Sequence, residues 1–288
     1  MRYAYYPGCS LEATAKPYQE SVISVAKTLG IELVEVNDWN CCGATTYMSV
    51  NEVLSFCLSA RNLSQAQKTG DVLVTPCSAC YTNLRKTEKY LESFPDVRKK
   101  VDTALSEAGM KYEGGVVTKH FLEAVVEDVG LDAVKSQVKR PLKGMRVAPY
   151  YGCQIVRPYG IEDDTDNPMM MDRLIETLGA TATYYPMKTV CCGGSLMGSR
   201  SEVAMRLCRN LLLCAQQDNA DCIVVTCPLC QLNLDVYQPE INKAYGTNFN
   251  IPIVYFTQLM GLAFGLKSEA IGLSGCIVPA TKLAAKFA

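Results

Sequence analysis

Asp71-Val72-Leu73-Val74-Thr75-Pro76-Cys77-Ser78-Ala79-Cys80 passes from a short apolar run straight into a Cys-x-x-Cys, and Asp221-Cys222-Ile223-Val224-Val225-Thr226-Cys227-Pro228-Leu229-Cys230 repeats that passage in the second half of the chain. A brief apolar run bounded by polar residues reads as a strand buried on both faces, and a proline at Pro76 or Pro228 suits the start of a helix. Strand followed by helix, twice over, is the signature of parallel α/β units. Further strands are expected at Arg2–Tyr6, Ile31–Val36, Gly115–Lys119, Arg146–Tyr150, Thr181–Tyr185 and Pro252–Phe256. Helical spacing of apolar residues marks Glu12–Leu29, Asn51–Thr69 and Ser201–Gln217, with Gly30, Gly70 and Gly179 where helices should stop. The expected fold is two tandem Rossmann-like α/β repeats related by a pseudo-two-fold, with mostly parallel sheets, over residues 1–143 and 144–288. The charged stretch Lys135–Lys143, ending at Pro141 and Gly144, is the candidate boundary.

Cysteines extend the repeat outward from these two stretches. The first half carries Cys9, Cys41-Cys42-Gly43 and Cys77/Cys80, and the second Cys153, Cys191-Cys192-Gly193 and Cys227/Cys230, with equal spacing from the paired cysteines to the Cys-x-x-Cys. Other landmarks agree. Tyr5-Tyr6-Pro7-Gly8-Cys9 resembles Tyr150-Tyr151-Gly152-Cys153, and Ala60-Arg61-Asn62-Leu63 parallels Cys208-Arg209-Asn210-Leu211. Asn83-Leu84 matches Asn233-Leu234, and Val117–Leu122 resembles Val254–Leu259. Each motif is expected just after a strand, which in an open parallel sheet is the carboxyl edge where ligands bind. Helix N-termini there favour thiolates, and Gly43 and Gly193 let the backbone bend around something bulky.

Composition narrows what the thiols can be. The chain is 49% hydrophobic over 288 residues with fifteen cysteines, which is too large and too rich in core for a secreted disulfide scaffold. Its opening, Met1-Arg2-Tyr3-Ala4-Tyr5-Tyr6, lacks the pattern of a secretory signal, so a reducing cytosol is the expected compartment. The longest uncharged stretch, between Lys243 and Lys267, is broken by Asn248, Asn250, Pro252 and Gln258 and reads as a buried strand and helix, not a membrane span. A net charge of −1, with both signs mixed along the chain, argues against nucleic-acid binding and against a polybasic membrane patch.

Five thiols per site fit zinc poorly, because a structural zinc takes four ligands and an adjacent Cys-Cys pair points two ways on an extended chain. Thiol–disulfide exchange at the Cys-x-x-Cys pairs would leave three cysteines per half unused. A multi-iron cluster uses the set best, either with one cysteine standing behind the ligands or with one bridging two irons. Cys57, Cys208, Cys214, Cys222 and Cys276 have no partner in the repeat and read as small buried hydrophobes. The single histidine, His120, reads as closing a strand or capping a helix. Arg157, Lys188 and Arg200 lie near second-half motifs and could meet an anionic substrate, but ordinary solvated charge accounts for them.

Cys-x31-Cys-Cys-Gly-x33-Cys-x2-Cys, duplicated, resembles the CCG domain pair of the B subunit of heterodisulfide reductase over nearly the whole chain, as do Tyr-Tyr-Pro-Gly-Cys at the start and Phe256–Leu262 near the end. The resemblance implies a catalytic subunit with two non-cubane [4Fe–4S] clusters, one held by Cys9, Cys41, Cys42, Cys77 and Cys80 and the other by Cys153, Cys191, Cys192, Cys227 and Cys230, cleaving or forming a disulfide between them. It further implies a ferredoxin-like C subunit and a flavin-containing A subunit as partners, since this chain has neither a ferredoxin cysteine run nor a dinucleotide fingerprint. Where the methanogenic pattern has Cys-Cys-Pro after the first site, this chain has Cys41-Cys42-Gly43-Ala44-Thr45-Thr46. The substrate therefore stays open between a small disulfide and a thiol on a carrier protein. Two other readings stand beside this one: a CCG-type electron-relay subunit of a glycolate, lactate or glycerol-3-phosphate oxidising complex, and a zinc-stabilised scaffold.

Overall fold

Alternation along the first strand sets the architecture. Tyr3 and Tyr5 point into a core shared with the second half, while Ala4 and Tyr6 point into a smaller core under Phe56, Leu63 and Leu84. A computed structural model describes residues 1–44 and 46–287; Thr45, in the loop after the first cysteine pair, and Ala288 lie outside the described residues. The first half contains β1 (Arg2–Tyr5), α1 (Cys9–Glu12), α2 (Lys16–Thr28), β2 (Glu32–Glu35), α3 (Thr46–Val50), α4 (Glu52–Ala66), β3 (Val72–Thr75), α5 (Ser78–Ser93), α6 (Pro95–Glu107) and β4 (Val117–His120). A helical link follows through α7 (Phe121–Glu123), a π-helical segment (Ala124–Gly130) and α8 (Leu131–Ser136). The second half contains β5 (Arg146–Tyr150), α9 (Met170–Thr177), β6 (Thr181–Ala182), a 3-10 turn at Gly194–Gly198, α10 (Ser201–Gln217), β7 (Cys222–Val225), α11 (Pro228–Asp235), α12 (Gln238–Tyr245), β8 (Ile253–Tyr255), α13 (Phe256–Ala263) and α14 (Thr281–Phe287).

Both sheets are four-stranded and wholly parallel, in the orders β2-β1-β3-β4 and β6-β5-β7-β8. In each, the order reverses at the first strand, so crevices open outside the carboxyl ends of β1/β3 and of β5/β7. Cys9 and Cys77 flank the first crevice and Cys153 and Cys227 the second, as expected from the strand positions.

Several elements depart from the sequence reading for identifiable reasons. The expected helix Glu12–Leu29 is two helices, because Pro17 has no N–H to bond Ala13 O in a continuous helix, whereas in the first turn of a helix restarting at Lys16 that N–H is not needed. Strand β6 stops at Ala182 instead of Tyr185: Pro186 follows, Tyr184 is 83% exposed, and Tyr185 turns inward to donate its hydroxyl to Leu211 O. Pro228 opens α11 as expected, whereas Pro76 precedes Cys77, the N-cap of α5, and lies outside the helix. Lys135 and Ser136 belong to α8, so the irregular stretch before β5 starts at Gln137. The uncharged stretch before Lys267 does form a buried strand and helix, β8 and α13.

The halves meet along a buried seam. Tyr18 of α2 stacks on Tyr255 with ring centroids 3.8 Å apart, and its hydroxyl donates to Pro76 O at 2.9 Å. Such a ring pair adds about 0.5–1.5 kcal/mol beyond the area it buries. Ser21 and Thr257 share a hydrogen bond of 2.6 Å, and Ser24 donates to Ala270 O. Gly272, at φ +60°, and Gly275 press against Pro17 so closely that a Cβ at either would lie about 2.5 Å or less from it. No helix among the described residues is long and apolar enough to cross a membrane.

Candidate metal centres

The tyrosine before each first cysteine anchors the site. Tyr6 donates to Asn40 O and Tyr150 to Val190 O, both at 2.7 Å, and each acceptor immediately precedes a Cys-Cys pair. The structural register therefore matches Tyr6 with Tyr150 and Pro7 with Tyr151. Gly8 (φ +77°) and Gly152 (φ +71°) follow, where the backbone lies so close to a thiol that a Cβ would sit 2.9 Å from Cys80 Sγ or 3.2 Å from Cys230 Sγ.

The ten repeated cysteines gather into two sets. Cys9 Sγ lies 3.7 Å from Cys41 Sγ, and Cys42 Sγ lies 3.5 Å from Cys80 Sγ. In the second half Cys192 Sγ lies 3.5 Å from Cys230 Sγ, and Cys153 stands near enough to Cys191 to raise its own thiol pKa. Cys77 and Cys227 stand near one another across the seam, where their neighbours Ser78 and Thr226 bond Oγ to Oγ1 at 3.0 Å, so the two sets adjoin. Adjacent cysteines do point two ways: Cys41 and Cys191 are exposed, Cys42 and Cys192 buried. The contacts run pairwise, and among the described residues no three His, Cys, Asp or Glu side chains close about a single ion.

Their acidity shows what the sets need. Hydrogen bonding from Cys42, then from Cys9, holds the Cys41 thiol low, while Cys42 and Cys9 are held high by the same bonds and by burial. Cys80 and Cys230 are pushed up by bonds to neighbouring thiols and by burial. The leading influences on these sulfurs are one another, burial and backbone N–H groups, with no ammonium or guanidinium among them. Thiolates so crowded can all be deprotonated only around metal ions, which invert this electrostatics. Five thiols, a buried wall and a glycine pressed against one sulfur in each half fit a bulky, cationic, sulfur-seeking group.

Hydrogen bonds brace each set from behind. Ser59 donates to Cys42 O at 2.9 Å; Asn83 donates to Cys42 O and to the hydroxyls of Ser55 and Ser59. Asn233 donates to Gly194 O, Cys192 O and Cys192 Sγ. Ser78 bonds Thr226 across the seam, Oγ to Oγ1 at 3.0 Å; by the repeat the reciprocal positions are Pro76 and Pro228, which offer no donor. The asparagines were visible in the sequence as matching offsets after each Cys-x-x-Cys, without a role; the serines carried no signal.

His120 ends β4 and caps α7, its Nδ1 accepting from Leu122 N while Glu123 accepts the His120 N–H. Tyr255 and Gln258 stand at the same place in the second half, which shifts the repeat by two residues from the match of Val117–Leu122 with Val254–Leu259. Arg157 pairs with Asp166 and Arg200 with Glu202 at the surface. Lys188 does not fit the solvated reading. It is 6% exposed, its ammonium bonded to Asp172 Oδ1 (2.9 Å) and Pro168 O, while Tyr151 donates to the other carboxylate oxygen. The Lys188 carbonyl accepts from Tyr151 N and Gly152 N, fixing the turn before Cys153. Of the five unrepeated cysteines, Cys208 and Cys222 are buried as expected, whereas Cys57, Cys214 and Cys276 are only partly covered.

The cysteine-rich CCG domain matches twice, at residues 3–85 and 147–235, and the chain belongs to that family, with heterodisulfide reductase B subunits among its full-length relatives. It is similar to the 8-methylmenaquinol:fumarate reductase membrane anchor subunit of Wolinella succinogenes, at 31% identity over 98% of both chains. A protein of Archaeoglobus profundus described as like the heterodisulfide reductase B subunit is 30% identical, covering 97% of this chain and 95% of that one. The B subunit of a ferredoxin/F(420)H(2)-dependent CoB-CoM heterodisulfide reductase of Methanosarcina acetivorans is 28% identical over 93% and 91%. A crystal structure of a hypothetical protein from Helicobacter pylori shares the fold, with a TM-score of 0.77 at 14% identity; it covers 96% of this chain, which spans 52% of that one.

Proposed function

We propose that this chain is the disulfide-converting subunit of a heterodisulfide reductase-like complex, with one non-cubane [4Fe–4S] cluster held by Cys9, Cys41, Cys42, Cys77 and Cys80 and a second by Cys153, Cys191, Cys192, Cys227 and Cys230. The observation that carries the reading is the bond of Ser78 to Thr226, the residues next to Cys77 and Cys227, which brings two equivalent thiol sets to one seam. Breaking R–S–S–R′ takes two electrons and two protons and yields RSH and R′SH. Bound clusters would each supply one of the two electrons. The chain contributes the rest: it holds the ten sulfurs, keeps six of them buried, and leaves Cys9, Cys41 and Cys191 facing solvent. A cavity of about 290 Å³, lined by Ala44, Met48, Ala79, Gln154 and Pro158, opens where the loop after the first Cys-Cys pair meets the loop after Cys153, beside both sets. It is the natural seat for a substrate arm.

In this reading the chain divides functionally at 143/144, works in the cytoplasm, and draws electrons from a ferredoxin-like partner that is in turn supplied by a flavin-bearing one. The likeness to a fumarate reductase component favours one alternative, in which the same clusters relay electrons and no disulfide binds. Iron, zinc and acid-labile sulfide on anaerobically purified protein, with EPR before and after adding disulfides, separates the two. Eight irons, in about equal number with sulfide, and a new paramagnetic signal on disulfide addition are expected for two four-iron clusters, about four irons each. Iron without any response to disulfides supports the relay, and zinc without iron defeats both.

A further inference from the structure

Asn83 and Asn233 stand at the same offset behind the two Cys-x-x-Cys turns, both buried, yet their amides are engaged differently. Asn83 spends its NH2 on Cys42 O, on Ser55 Oγ at 3.1 Å and on Ser59 Oγ at 3.0 Å, none of them sulfur. In the repeat that matches Ala60–Leu63 with Cys208–Leu211, Ser55 and Ser59 become Val203 and Leu207. Without those hydroxyls the Asn233 NH2 reaches Gly194 O at 2.9 Å, Cys192 O at 3.4 Å and Cys192 Sγ at 3.7 Å, and its Oδ1 is buried with no partner.

We propose that Asn233 is a positioning residue whose N–H···S hydrogen bond to Cys192 raises the reduction potential of the second cluster, an effect that Ser55 and Ser59 deny to Asn83 in the first. The proposal rests on the assignment of the ten cysteines to two clusters. Its physical basis is that a hydrogen bond to a ligating sulfur withdraws charge and favours the reduced cluster, as groups behind metal ligands generally tune them. The pseudo-symmetric pair thereby acquires a direction, with an added pull on electrons at the second site.

The test is an anaerobic redox titration of the iron-loaded protein followed by EPR. Asn233→Leu, close in size and uncharged, is expected to move one of the two midpoints to more negative potential and leave the other in place, while Asn83→Leu moves neither. Ser55→Val combined with Ser59→Leu, which gives the first half the second half's surroundings, is expected to move the other midpoint upward. A purely structural asparagine would alter iron content without shifting a midpoint. Unchanged midpoints in Asn233→Leu, or an equal shift in Asn83→Leu, overturn the proposal. If Asn233→Leu fails to take up iron, the serine double variant decides, and unchanged midpoints there overturn it. A wild-type protein with no redox-active iron overturns the cluster assignment itself, a failure distinguishable because no midpoint then exists to compare.

Discussion

Glu88 and Gln238 perform one task in opposite halves: each reaches from a helix to the chain leading into or forming the last strand of its sheet, Glu88 Oε1 accepting from Thr118 N and Gln238 Oε1 from Ile251 N. Glu123 and Gln258 are a second such pair, accepting the N–H of His120 and of Tyr255. The roles correspond, although Gln238 grips the chain two residues earlier than Glu88 does, yet the first half uses acids and the second amides. Burial pushes both glutamates up to about 7, against hydrogen bonds that favour the carboxylate. Duplication has thus kept these hydrogen-bonding roles and the cysteines while the chemistry around them drifted, with acids at both positions in the first half and amides in the second, which also carries the buried Lys188–Asp172 ion pair.

The largest effect should separate the cysteines of the repeat from the rest. Cys192→Ser is expected to remove about half the iron, one cluster of two, and Cys57→Ser to leave it intact, as measured by metal analysis. Equal loss in both would break the assignment. Next is the second-half clamp: Lys188→Met strands Asp172 with a buried charge and should cost about 3–5 kcal/mol in urea unfolding. A cost near zero would mean the clamp is not what distinguishes that half. Across the seam, Ser78→Ala leaves Thr226 its bond to Tyr151 O and should cost only about 1 kcal/mol.

The smallest effect is a pH slope. A carboxyl whose folded pKa is raised stabilises the protein fully below its unfolded pKa, near 4.5, and loses that contribution as pH rises through about 7. Combining Glu88→Gln with Glu123→Gln, the second half's own solution, should flatten stability between those limits. An undiminished slope would place the titrating groups elsewhere.

Much of this was readable because strands and thiols obey strict spacing. Asp71–Thr75 and Asp221–Thr226 had to be strands, and the Cys-x-x-Cys after each had to fall at a sheet's carboxyl edge. Lys188 was not readable, since a lysine looks solvated until the fold places Asp172 and Tyr151 against it. Which of Tyr5 and Tyr6 matches Tyr150 needs the structure, because a repeated tyrosine offers two alignments and the hydroxyl's acceptor selects one. Ser55 and Ser59 carry no signal in the sequence, because their importance lies in what Val203 and Leu207 lack.

The seam through Tyr18 and Tyr255 bears on how the chain folds. Helix α2 lies near the start of the first half, yet it is covered by Tyr255, Thr257, Ala270 and the Gly272–Gly275 turn, contacts that span 236 residues between Ser21 and Thr257 and 246 between Ser24 and Ala270. Until such distant segments meet, the aromatic face of Tyr18 stays uncovered. The first half therefore completes its core only as the second packs against it, and contacts so far apart in sequence make that a slow step.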